Sequence, residues 1–329
     1  MFTTRGKRGF LGAAGAAVLL LSACGSTGAD TDSDDSTADD AASDYADCVV
    51  TDGLADATAM EADEKTELTV AAFNGWDDTQ GSAYMAKHVL EDMGYSVTVE
   101  SFEAAPGFTA AANGDVDWLA SSMLPRTHAD YLEQYGDDYE SLGCWYEDAR
   151  NAIAVNADSP AQTIEDLADM GDEYGNRIVG IEAGAGLMRA TENDVMPAYG
   201  LDDWQLVESS TPAMLAEVDG AEGTDKNVAV TMWYPHWAWN VYDLRELEDT
   251  EGAFGEADQF FMFAQDGFSD SNPQVAQVLE NFVFSEEDFG ELQTLMSQKY
   301  DGEDHAAAVA DWAEENPEFF EDWKTGQLS

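Results

Sequence analysis

Four short segments hold the residue types from which a binding site could be built. They are Ala71-Ala72-Phe73-Asn74-Gly75-Trp76-Asp77-Asp78, Ser122-Met123-Leu124-Pro125-Arg126-Thr127-His128, Ile178-Val179-Gly180-Ile181-Glu182-Ala183-Gly184-Ala185-Gly186-Leu187-Met188 and Val230-Thr231-Met232-Trp233-Tyr234-Pro235-His236-Trp237. An indole face attracts a methylated cation that has no N–H to donate, at roughly 0.5–2 kcal/mol per ring. A Gly-rich turn running into a helix start offers backbone N–H groups to an anion without adding a formal charge. Read singly, each segment has a plainer meaning: a core Trp, a helix-capping His, an ordinary Gly turn, aromatic packing under a surface. The Gly-rich turn lacks the Lys and Ser/Thr of a P-loop and is not a dinucleotide fingerprint. None of His88, His128, His236 and His305 sits in a motif that marks a nucleophile and its base. No Cys or His pair has metal-ligand spacing. An enzyme, a metal and a cofactor are therefore not expected.

The elements that must position these segments alternate between strand and helix. Glu67–Phe73, Tyr95–Glu100, Asp117–Met123 and Asn151–Val155 read as strands. Helical patterns fill Gly81–Met93 and Pro106–Asn113, and Thr163-Ile164-Glu165-Asp166-Leu167 opens another. Strands follow at Arg177–Glu182, Trp204–Ser209, Asn227–Trp233 and Gln259–Ala264, with a helix from Leu187 and a helical C-terminal part over Asn272–Trp323. This order predicts an α/β architecture with mostly parallel sheets, whose ligands sit at the carboxyl ends of strands. Trp76, Met123, Gly186 and Trp233 all fall there. Strict alternation along the strand turns Trp118 away from the Met123 side.

The chain of 329 residues carries 68 acidic and 13 basic side chains, a formal charge of −55. Such a surface repels nucleic acid, which is bound through Lys and Arg. Its self-repulsion is relieved by salt, which predicts adaptation to high external salinity. Residues 1–23 pair a basic start (Arg5, Lys7, Arg8) with a short apolar run, too short to span a bilayer. The run ends in Leu21-Ser22-Ala23-Cys24-Gly25, which resembles a bacterial lipobox with Cys24 as lipid acceptor. A plain signal peptide with an incidental Cys24 is the alternative. Residues 24–47 then read as a flexible acidic tether. An exported chain anchored at Cys24 sits outside the cytoplasm, on the outer face of the cell membrane. There, oxidation is expected to join the remaining Cys48 and Cys144.

Taken together, GIExGxG at Gly180–Gly186, WYPHW at Trp233–Trp237, ANGDxD at Ala112–Asp117 and LPxTH at Leu124–His128 resemble the glycine betaine/proline betaine substrate-binding proteins of ABC importers. The resemblance spans about residues 66–325 and includes Tyr242–Asp249 and the closing helices through Trp323-Lys324. It implies a two-lobed periplasmic-binding fold of type II kind, with the ligand in the interlobe cleft. Lobe I is expected over 48–152 plus 262–329 and lobe II over 153–261. It further implies an ammonium cage at Trp76 and Trp233, and carboxylate donors at His128, Gly186 and Leu187. The implied partners are the permease and ATPase subunits of the importer. One position departs: many relatives have Trp before Leu-Pro, and this chain has Met123. Three outcomes follow from that: a cage of two Trp plus Met123, a wall supplied by Tyr234, or a pocket shaped for carnitine, choline, a sulfonium betaine or ectoine. A lipoprotein that senses or scaffolds without transport is also compatible with the sequence.

Overall fold

The computed structural model describes residues 45, 46 and 48–329. The leader, Cys24 and all of the tether except Tyr45 and Ala46 lie outside the described residues. No helix among those described is long and apolar enough to cross a membrane.

Nine strands run in the order β2-β1-β3-β9-β4-β7-β5-β6, with β8 paired to β4. They are β1 Glu67–Phe73, β2 Ser96–Phe102, β3 Trp118–Leu124, β4 Tyr139–Asn156, β5 Arg177–Val179, β6 Gln205–Val207, β7 Ala229–Tyr234, β8 Leu244–Glu246 and β9 Asp258–Gln265. Half of the strand pairings are parallel (β1 with β2 and β3, β5 with β6 and β7). The other half are antiparallel, because β9 returns between β3 and β4 and β4 faces β7, β8 and β9. The expectation of mostly parallel sheets is corrected accordingly.

β4 is the joint of the molecule. It is 18 residues long. Up to Ala149 it pairs with β9, and from Arg150 to Val155 it pairs with β7. Only its second part shows an apolar run. The first part is broken by register shifts and by left-handed backbone at Gly143 and Asp148 (φ 86° and 63°), which hid it from periodicity.

Each half has its own core. On one side of the first, Leu68, Val70 and Ala72 of β1 meet the C-terminal helices, where Phe282 and Trp323 stack at 4.4 Å. Ala71 and Phe73 point to the opposite face, toward Phe108. The second half packs Ile153, Val155, Ile164, Leu167, Ile178 and Trp204 around β4 and β5. Its helix Ile164–Asp169 begins in a capping box formed by Thr163 and Asp166. Cys48 and Cys144 are joined by a disulfide, with Cα atoms 6.2 Å apart, tying the N-terminal segment to β4.

Candidate functional site

The two halves meet over one small cavity, into which Trp76, Met123, His128, Leu187 and Trp233 all project. Gly186 lines a larger neighbouring pocket, which shares Thr127 with this cavity. A Cβ on Gly186 would stand 1.9 Å from the Thr127 carbonyl oxygen, so only Gly lets the backbones approach there.

Trp76 sits just past β1, as N-cap of the helix Asp77–Asp92. Its indole Nε1 donates to Glu182 Oε2 at 3.1 Å. Glu182 is fixed in turn by the Thr211 N–H at 2.8 Å and the Thr211 hydroxyl at 3.0 Å. Trp233, near the end of β7, donates through Nε1 to Asp78 Oδ1 at 3.3 Å, and its ring meets His236 edge-on at 4.5 Å. Each indole is thus held by a carboxylate from the opposite lobe. The two ring centroids lie 6.2 Å apart with planes inclined by 51°, which leaves the faces turned toward a common space.

His128 is held by its own turn. The Met123 N–H donates to Nδ1 at 2.8 Å, and the His128 N–H donates back to the Met123 carbonyl at 2.9 Å. Because Nδ1 accepts, the ring proton of the neutral imidazole sits on Nε2. Burial, helped by the nearby Arg189 charge, pushes the His128 pKa down to about 3, so the ring is neutral at any physiological pH. Nε2 is buried without a hydrogen-bond partner among the described residues. It is a donor awaiting an acceptor. The imidazole lies nearly parallel to Trp76, with centroids 6.1 Å apart.

Sequence reasoning assigned no role to five other residues on this cavity, the apolar Ile181 and four that bring a ring or a polar group. Phe260 is paired with Met123 across β3 and β9 and adds an aromatic ring to the Met123 side. Asp78 brings a carboxyl group that burial pushes up to about 7. Asn151 and Thr127 supply an amide and a hydroxyl. Tyr234 is not part of the wall: it stacks on Trp239 at 4.5 Å and lies 4.1 Å beneath the Arg150 guanidinium. Trp118 does not line the cavity either, yet it shares the Met123 face rather than opposing it. The register shows why. Trp118 pairs with Ala264 and Met123 with Phe260, so β3 spends one more residue than β9 between these pairs, and the bulge between Leu119 and Ser122 restores the face.

Residues 66–315 match the substrate-binding domain of ABC-type glycine betaine transport systems. The chain belongs to this family. This binding domain is 36% identical over 160 residues to the glycine betaine/carnitine transport binding protein GbuC of Listeria monocytogenes, a match over 48% of this chain and 52% of that protein. The chain therefore spans about half the length of that curated relative. In structure it resembles lactococcal OpuAC in its closed, liganded conformation with glycine betaine (TM-score 0.73, 28% identity, 79% of this chain and 99% of the other). It also resembles an ABC-transporter choline-binding protein in complex with choline (TM-score 0.71, 26% identity, 78% and 92%). The fold is the two-lobed periplasmic-binding architecture, with its ligand site in the cleft.

Proposed function

We propose that this domain is an extracytoplasmic solute-binding lipoprotein that delivers glycine betaine or a related methylated osmoprotectant to an ABC importer. The carrying observation is the meeting of Trp76 and Trp233, one from each lobe, beside a neutral His128 whose Nε2–H is free to donate. On this reading Trp76, Trp233 and Met123 surround the ammonium group, with Phe260 beside Met123. His128, together with the Gly186 and Leu187 backbone N–H groups, takes the carboxylate. The lobes divide near 152–153 and 261–262, close to where β4 changes partners and β9 begins. Cys24 carries the lipid, and the importer's permease and ATPase are the partners.

The test is a calorimetric titration of the mature domain, in high-salt buffer, against glycine betaine, proline betaine, carnitine, choline and ectoine. Binding of glycine betaine is expected. Another solute bound with glycine betaine silent would keep the transport role and move the ligand, with Met123→Trp as the first change to try. His128→Ala is expected to weaken glycine betaine more than choline, which has no carboxylate. Equal losses would remove His128 from its role.

Asp78 favours choline as the second reading, because a carboxylate on the cavity complements a ligand of net positive charge. It also sets a pH dependence. Asp78 is protonated below about 7, and a bound cation favours its ionised form. Binding therefore releases a proton in that range, and affinity falls from pH 8 to pH 6, by up to about tenfold per pH unit below 7. Titrations at the two pH values check this, and Asp78→Asn should flatten the profile.

The acidic surface carries a further expectation. Refolding stability should rise with NaCl as repulsion is screened. Stability that fell with added NaCl would refute adaptation to salt.

A further inference from the structure

We propose that Asn151 reads a hydroxyl group on the ligand, and that the preferred solute is a quaternary ammonium carboxylate with a hydroxyl between its charged ends. This rests on the ammonium-carboxylate reading above and narrows it.

The orientation of the Asn151 amide follows from the direction of neighbouring hydrogen bonds. The buried carboxylate of Asp258 accepts from the Arg126 N–H at 2.8 Å, the Thr127 N–H at 3.0 Å and the Thr127 hydroxyl. With its one proton committed to Asp258, Thr127 Oγ1 can only accept from Asn151. The amide nitrogen of Asn151 therefore faces Thr127, at 2.8 Å. Its carbonyl oxygen must point the other way. That Oδ1 is buried and has no hydrogen-bond partner among the described residues. An acceptor left in this condition calls for an N–H or O–H donor.

Position then says which part of a ligand would supply it. In the β4/β7 register Asn151 lies directly opposite Trp233, so the two side chains share a face. Through Thr127 the same amide touches the turn that carries His128. Asn151 therefore stands between the indole wall and the imidazole donor. A ligand with its ammonium on Trp233 and its carboxylate on His128 lays its middle atoms beside Asn151. Glycine betaine has only a methylene there. A hydroxylated chain presents an O–H to Oδ1 and satisfies the orphan acceptor.

The experiment compares carnitine with 4-(trimethylammonio)butanoate, which differ only by the hydroxyl, using calorimetry on the mature wild-type domain and on Asn151→Ala. Wild type is expected to favour carnitine by about tenfold or more, and Asn151→Ala to bring that preference close to one. The two carnitine enantiomers give a second readout on wild type alone, since one fixed acceptor should prefer one hand. Equal binding of the hydroxylated and plain ligands by wild type would overturn the proposal, as would a preference that survives in Asn151→Ala. Glycine betaine binding without either longer ligand would overturn the hydroxyl and leave the cage standing. Silence toward every ammonium carboxylate would overturn both.

Discussion

Trp233→Ala is expected to weaken binding of the ammonium ligand by about 2–4 kcal/mol, roughly thirtyfold to a thousandfold in Kd. Two losses combine. On the proposed reading the π face offered to the cation disappears, and so does the Nε1–H that holds Asp78 at 3.3 Å. Asp78 is buried, and removing a donor from a buried carboxyl group raises the cost of ionising it. The attraction for a cation then drops on both counts. The fold should survive, because Trp233 stands near the end of β7, where the ladder to Asn151 is made by backbone atoms. Trp233→Phe separates the terms: it keeps an aromatic face, loses the donor, and should fall between wild type and Ala. Calorimetry measures the affinities and a thermal melt reports the fold. Unchanged affinity in Trp233→Ala would remove this residue from the cage.

Replacing Cys48 and Cys144 together by Ser should lower stability by about 4–5 kcal/mol on loop-closure grounds, since the bond joins residues separated by 96 positions. For a folded part of this size that corresponds to a fall in Tm of roughly 7–9 °C. The closed loop contains β1, β2 and β3, so the bond restrains much of the first lobe in the unfolded chain. Non-covalent contacts also hold the N-terminal segment: Gln259 Nε2 donates to the Cys48 carbonyl at 2.8 Å, and Tyr45 packs edge-on against Phe261 and Phe263 at 5.3 and 5.5 Å. Melting of the oxidised wild type and the double Ser variant, in the same high-salt buffer, decides the matter. A difference of only a degree or two would mean that these contacts, and not the covalent link, restrain the segment.

Much of the first lobe was legible in the sequence because its first strands are short and patterned, with Gly75, Gly94 and Gly114 in the turns around them. Glu67–Phe73 was placed to the residue. The helix after it begins at Asp77, four residues earlier than the pattern suggested, because Asp77 and Asp78 are buried acids that look like surface. Trp76 and Trp233 could be singled out as aromatics at strand ends. Phe260 could not, since its place beside Met123 depends on an antiparallel pairing between strands far apart in the chain. Asn151 looked like the polar start of a strand. Its meaning lies in Thr127 and Asp258, which fix its amide from segments far away in the chain. The bulge in β3 was equally hidden, for a shift of one residue leaves no compositional trace and yet reverses a face.

The crossed pairs, Trp76 with Glu182 and Trp233 with Asp78, belong to the protein and not to its cargo. Shutting the cleft therefore gains bonds before any solute contributes, which favours closure even without one. Entry requires the open form, so the measured affinity is the intrinsic one reduced by the fraction of molecules that stand open. A substitution that loosened one crossed pair while sparing the indole faces would release that fraction, admitting solute faster and surrendering it sooner.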